Sequence, residues 1–227
     1  DFLADKAANK REHLVDRLLA RSEFVDYWAY KWSDLLLVST KKLRANAMWA
    51  FYNWIRESVA ENKPWDKFAR EIFTGTGSNR QHGALNYFVL HKDPIDLVET
   101  TTQAFLGQKL TCARCHNHPL EKWTQTQYYQ MANLFSRVGV KNGPDGEDVV
   151  FAKTSGDINH PRLLRPLPPT PLDGKPLALD SLEDRRLAFA DWLTKDNPLS
   201  FHVYQGVCGT QVDPHVVGEK AQNKIKH

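Results

Sequence analysis

The sequence is poor in sulfur, in long apolar runs and in concentrated charge. It holds three cysteines and two methionines among 227 residues, too few for the disulfide framework that staples small secreted domains. No stretch approaches the roughly 18 to 20 consecutive apolar residues of a membrane helix, so no membrane span is expected. Lys and Arg number 30 against 27 Asp and Glu, for a net charge of +3. They are interspersed rather than gathered on one face as nucleic-acid binders arrange them. The only basic cluster, Lys41, Lys42 and Arg44, reads as a solvated helix end, and no nucleic-acid partner is expected. No internal repeat is visible. What remains, 41% hydrophobic and 25% charged residues, is the composition of a soluble globular chain with one sizeable core.

Against that scarcity, two of the three cysteines stand three positions apart with histidine next, in Cys112-Ala113-Arg114-Cys115-His116. This C-x-x-C-H run is the attachment signature of a c-type haem. Each thiol adds to one haem vinyl group, and the imidazole beside the second thiol becomes the proximal iron ligand. Two alternatives use the same residues: a zinc site from Cys112, Cys115, His116 and His118, and a Cys112 to Cys115 disulfide. Zinc sites usually draw ligand pairs from separated segments, whereas these four ligands fall within seven residues. Haem attachment of this kind takes place outside the bacterial cytoplasm, so a periplasmic or cell-surface protein is expected. A secretory leader is expected to have been removed or to lie upstream of Asp1.

The apolar periodicity predicts a mainly α fold, a helical domain with the C-x-x-C-H motif between two helices and a long Pro/Gly-rich loop region. The first 75 or so residues read as three helices. Leu14, Val15, Leu18 and Leu19, then Trp28, Trp32, Leu35 and Leu36 after Ser22, recur at helical spacing. Met48, Phe51, Tyr52, Ile55 and Val59 follow, then Trp65, Phe68, Ile72 and Phe73 after Pro64. Gly75 to Gly83 reads as a connecting loop. Asp93 as N-cap, Pro94 at the first position and Gly107 at the end bound a helix burying Ile95, Val98, Thr102 and Phe105. Thr124 and Gln127 form a capping box for the helix carrying Tyr128, Met131, Ala132, Phe135 and Val138, with Gly139 at its end. From Lys141 to Pro176 the chain is rich in Gly, Pro and Asp, with at most a short strand pair around Val149 to Phe151. Ser181 is expected to cap a last helix bearing Leu182, Leu187, Phe189 and Leu193, stopped by Asn197-Pro198.

The expected cofactor-binding residues are Cys112, Cys115, His116, Met131, His91, His118, Trp123 and Tyr128, with iron held by His116 and Met131. The Met131 thioether is the favoured distal ligand and would raise the reduction potential. Its alternative role is a gap-filling core methionine. His91 before the preceding helix is the second distal candidate and His160, in the proline-rich segment, the third. His118 lies too close in sequence to His116 to reach the opposite haem face. It is expected to bond a propionate or the backbone, or to act with Asn117 and Glu121 around the ligand. Aromatic side chains such as Trp123 and Tyr128 supply apolar walls.

Several stretches together resemble the planctomycete cytochrome c-like (PSCyt-type) family, a domain of unknown function. They are Tyr87-Phe88-Val89-Leu90-His91-Lys92-Asp93-Pro94, Phe105-Leu106-Gly107, Cys112 to Pro119, Trp123-Thr124-Gln125 and Tyr128-Tyr129. Asp16-Arg17-Leu18-Leu19, Trp32-Ser33-Asp34-Leu35, His160-Pro161-Arg162 and Pro171-Leu172-Asp173-Gly174 extend the likeness. The resemblance covers residues 1–199, a cytochrome c-like helical domain with its N-terminus truncated, and leaves 200–227, including Cys208, as a divergent or truncated tail. It implies covalent haem, export and a second domain in a longer parent chain. The leading expectation is electron transfer through one haem to a redox partner protein. The rivals are a haem-dependent enzyme with an open distal site for peroxide or oxygen chemistry, and a haem or metal that is a structural element of a binding module.

Overall fold

The computed structural model describes residues 2–196. The predicted Asn197-Pro198 stop, the tail 200–227 and Cys208 lie outside the described residues. The fold is mainly α. Its helices are α1 (Lys10–Leu19), α2 (Ser22–Leu35), α3 (Ala45–Ala60), α4 (Trp65–Thr74), α5 (Asn86–Leu90), α6 (Pro94–Leu106), α7 (Gln125–Phe135) and α8 (Arg185–Asp191). Four helices thus fill the first 75 residues where periodicity predicted three. The stripe from Leu14 to Leu36 breaks at Arg21, whose extended backbone (ψ 146°) separates α1 from α2. Helix α1 buries none of its residues.

Local signals placed α6 and α7. Asp93 Oδ1 accepts from Ile95 N at 2.7 Å, Pro94 stands in the first turn, and Gly107 ends the helix at φ 62°, left-handed backbone that suits glycine. Thr124 and Gln127 cap α7 reciprocally. Helix α7 nevertheless stops at Phe135, before Val138 and Gly139. Those residues instead open β2 (Val138–Asn142), which pairs antiparallel with β3 (Asp148–Ala152). The reason is cross-strand packing: Gly139 faces Val150's neighbour Phe151, whose ring would lie 2.5 Å from a Cβ added at Gly139. The predicted connection from Gly75 to Gly83 contains a short third strand, β1 (Gly77–Ser78), which completes the sheet order β1-β3-β2. Helix α5 was not anticipated, and all five of its residues are buried.

Aromatic contacts run through the core from one helix to the next. Trp32 of α2 stacks on Trp65 (5.3 Å between centroids), and Trp65 stacks on Phe105 of α6 (5.4 Å). Phe105 meets Phe73 of α4 (4.8 Å), Phe73 meets Phe189 of α8 (4.9 Å), and Phe189 meets Phe135 of α7 (5.0 Å). Such pairs add about 0.5–1.5 kcal/mol each beyond the area they bury.

Residues 153–184 contain only an isolated bridge, Asn159 with Pro166, yet they are tied firmly to α7. The fully buried Asn133 donates through Nδ2 to the Ile158 and Leu167 carbonyls (3.0 Å each), and its Oδ1 accepts from Ile158 N (2.8 Å). The last helix starts at Arg185 rather than after Ser181. Asp184 caps it by accepting from Arg186 N, whereas Ser181 Oγ only accepts from Glu183 N in the preceding turn. Leu182 and Leu187 accordingly point to solvent, and two arginines, Arg185 and Arg186, take the buried face.

Asp157 balances Arg185 together with Arg137, binding Arg137 Nε at 3.0 Å and Arg185 Nη1 at 2.7 Å. Burial pushes the Asp157 carboxyl up, and the hydrogen bonds and charges of Arg137 and Arg185 outweigh that, leaving it below the usual carboxylate range. A carboxylate with a depressed folded pKa contributes stability that is complete above the ordinary carboxylate range and is lost as pH falls through the lower folded value. Asp157→Asn is therefore expected to cost about 3 kcal/mol at neutral pH. It should also flatten the acid limb of stability, measured by urea unfolding from pH 7 down to pH 3. An unchanged acid limb would remove Asp157 from this role.

Candidate functional site

The Cys-x-x-Cys-His run forms a 3-10 turn, Thr111–Arg114, between α6 and α7. Leu110 and Ala113 are buried, which roots the turn in the core, while Cys112, Cys115 and His116 are exposed. Ala113 N donates to Leu110 O at 2.8 Å, closing the turn. Both thiols are free.

The start of α7 clasps the turn and the loop that follows it. Gln125 Nε2 donates to the Arg114 carbonyl (3.0 Å), and Gln125 N donates to Asn117 Oδ1 (3.0 Å). Tyr129 Oη also reaches the Arg114 carbonyl, at 3.4 Å. Burial pushes the Tyr129 phenol up, with the Arg114 charge opposing and Cys115 adding to the rise, so its hydroxyl keeps the proton it donates. Across the loop, His118 N donates to the Trp123 carbonyl at 2.8 Å. The buried Trp123 ring is fixed by Nε1 donating to Gln108 Oε1 at 3.0 Å.

The backbone sorts the histidines by which ring nitrogen it occupies. His116 Nδ1 lies 2.7 Å from the Asn117 carbonyl, so Nδ1 carries the proton and Nε2 keeps its lone pair. His118 is opposite: its Nδ1 accepts from Glu121 N (2.9 Å) and Leu120 N (3.3 Å), which leaves the proton on Nε2. Nδ1 of His116 is thus held by a carbonyl, and His118 is left with Nε2 as its donor.

The other sequence candidates occupy different surroundings. Met131 is fully enclosed in the core. Tyr128 is fully buried with Oη donating to Glu99 Oε1 at 2.9 Å; burial first, then the Glu99 hydrogen bond and charge, raise its phenol above the ordinary value. His91 is 2% exposed, packs edge-on against Tyr87 and points Nε2 at the Leu36 carbonyl, 3.3 Å away. The structure therefore brings Cys112, Cys115, His116, His118 and Trp123 together on one surface loop, and encloses Met131, His91 and Tyr128 in the core. Among the described residues no group of three or more His, Cys, Asp or Glu is gathered to hold a metal ion.

Sequence reasoning missed Gln125, Gln108 and Tyr129. Gln125 carried a usable signal, since the first residue of a capped helix lies beside its neighbouring loop. Tyr129 stood only in a stretch that carries the family resemblance, and Gln108 carried no signal, because their partners are set by how the two helices pack.

Fold and site together define a mainly helical domain that presents two thiols and one imidazole lone pair on a rooted surface turn. The chain belongs to the PSCyt2 family, described as a protein of unknown function (DUF1549), whose family model matches residues 1–139. The matched stretch includes the turn and Met131 and stops before His160. No curated protein and no solved structure matches the chain.

Burial lowers the His91 imidazole to about 4, against the raising effect of its bond to the Leu36 carbonyl. Its folded value lies below the unfolded value, so the stability of keeping it neutral is complete above about pH 6.5 and is lost as pH falls toward 4. Wild-type protein should lose roughly 2 kcal/mol from this group by pH 5. His91→Leu should remove that dependence in denaturant titrations at pH 7.5 and 5. If wild type and variant keep the same difference between the two pH values, His91 is not buried as a neutral ring.

Proposed function

We propose that the chain is an exported haem c protein that transfers electrons through one haem bound by thioether bonds at Cys112 and Cys115. His116 is its proximal ligand. The observation that carries the reading is the His116 ring: Nδ1 donates to the Asn117 carbonyl, and Nε2 keeps its lone pair beside two free, exposed thiols. A ligating histidine whose other nitrogen bonds a backbone carbonyl is held in the right tautomer and made more basic.

The donor set fits the group. When bound, haem supplies an iron centre able to take up and release one electron. Cys112 and Cys115 tether it, His116 ligates it, and Gln125, through Arg114 and Asn117, holds the turn in place. Because the turn faces solvent, a group tethered there lies within reach of a redox partner protein. The likeness to planctomycete cytochrome c-like proteins supports the same reading and extends it to a periplasmic or cell-surface location and a second domain in a longer chain. No helix among the described residues is long and apolar enough to cross a membrane.

A second reading, a haem enzyme with an open distal position, has one observation in its favour. Ligation by Met131 requires opening the core around its sulfur, and ligation by His91 requires giving up the bond to Leu36. An iron that neither residue reaches would keep a position for peroxide or oxygen.

Protein matured in a host with a periplasmic haem-attachment system should gain the mass of one haem per chain, and Cys112→Ala with Cys115→Ala should abolish the gain. Absence of added mass in the wild type contradicts the proposal. The oxidised spectrum divides the two readings. A low-spin spectrum that turns high-spin in Met131→Ala or His91→Ala identifies the distal ligand and supports electron transfer. A high-spin wild type that readily binds cyanide transfers the assignment to the enzyme.

A further inference from the structure

His160 lies in the long loop, beside the Asn159 to Pro166 bridge, and is anything but loosely held. Its ring is 4% exposed and packs against Tyr129, 5.3 Å between centroids, and Tyr129 in turn reaches the Arg114 carbonyl of the Cys-x-x-Cys-His turn. His160 Nδ1 accepts from Arg162 N at 3.2 Å and from Leu163 N at 3.3 Å. The neutral ring therefore carries its proton on Nε2. That Nε2 is buried and has no hydrogen-bond partner among the described residues.

Two consequences follow. An iron ligand at Nε2 would need the proton on Nδ1, where two backbone N–H groups already point, so the ring is not arranged as the third distal candidate that the sequence suggested. A buried donor left without an acceptor also costs stability, which is recovered when a bound group supplies the acceptor. His118 has the same construction: a His-Pro pair with Nδ1 accepting from the backbone two and three residues on, which leaves Nε2–H as the donor.

We propose that His160 Nε2–H, with His118 Nε2–H as its counterpart in the Cys loop, donates a hydrogen bond to a carboxylate of the group tethered at Cys112 and Cys115, namely a haem propionate. The proposal rests on the haem reading above and adds to it a pair of positioning residues on two separate segments. A donor on a propionate disperses its negative charge; without that donor the anion favours the oxidised iron, and the reduction potential falls.

Two substitutions separate this role from a turn-holding one. His160→Asn retains an acceptor near Nδ1 for the backbone N–H groups and removes the Nε2 donor. His160→Gln retains a donor near Nε2 and removes the backbone acceptor. In haem-loaded protein the midpoint potential should fall in the Asn variant and return toward wild type in the Gln variant, with one haem per chain by mass and an unchanged spin state in both. The reverse order, Gln lowered and Asn unchanged, overturns the proposal in favour of a structural turn, as does an unchanged potential in both. Loss of the low-spin spectrum in the Asn variant also overturns it, because His160 would then be a ligand. A wild type with no covalent haem overturns the underlying reading, an outcome the mass measurement distinguishes from all the others.

Discussion

The clasp between Gln125 and the Cys-x-x-Cys-His turn is the interaction on which the site depends. One residue at the start of α7 donates from its side chain to Arg114 O and from its backbone to Asn117 Oδ1, joining the turn on one side of His116 to the loop on the other. Asn117 in turn presents the carbonyl that fixes the His116 ring. Gln125 is itself buried, so these bonds are shielded from competing water. Beneath the clasp, Leu110 and Ala113 are packed in the core, and the reactive side chains face outward as a result.

That outward orientation requires a rigid platform. Helices α6 and α7 provide it through the part-buried Tyr128 to Glu99 bond and through an aromatic series that continues to α2, α4 and α8. The long loop is held just as firmly by polar contacts. Asn133 and the Arg137, Asp157 and Arg185 group add to the packing of Ile158, Leu172 and Leu177 against the core. The same loop carries His160 to Tyr129 and so to the turn, although it is distant in sequence.

Much of this was legible in the sequence because it is local. The N-cap Asp93 with Pro94, the left-handed Gly107, the Thr124 and Gln127 capping box and the helix after Pro64 each depend on residues a few positions apart. The failures were non-local. Val138 and Gly139 fit a helix end by spacing, and only the pairing with β3 makes them a strand. Arg185 takes a buried position because Asp157, far away in sequence, stands beside it. At the site, the C-x-x-C-H spacing marked the two thiols and His116, and the apolar stripe of α7 allowed Met131 its core role, but sequence could not tell that His91 faces the interior. Nor could it show that three histidines in similar polar contexts differ in the nitrogen that bears the proton, because that depends on where nearby backbone carbonyls and N–H groups point.

In the proposed function, two thiols and one imidazole on this turn hold one haem covalently. The most direct test is the alkaline pyridine haemochrome spectrum of protein matured with a periplasmic haem-attachment system, read together with metal analysis. The expected result is the band position of a haem whose two vinyl groups are both saturated by thioether bonds, with one iron per chain. A colourless protein carrying zinc, or one with Cys112 joined to Cys115 as a disulfide and no iron, would contradict it.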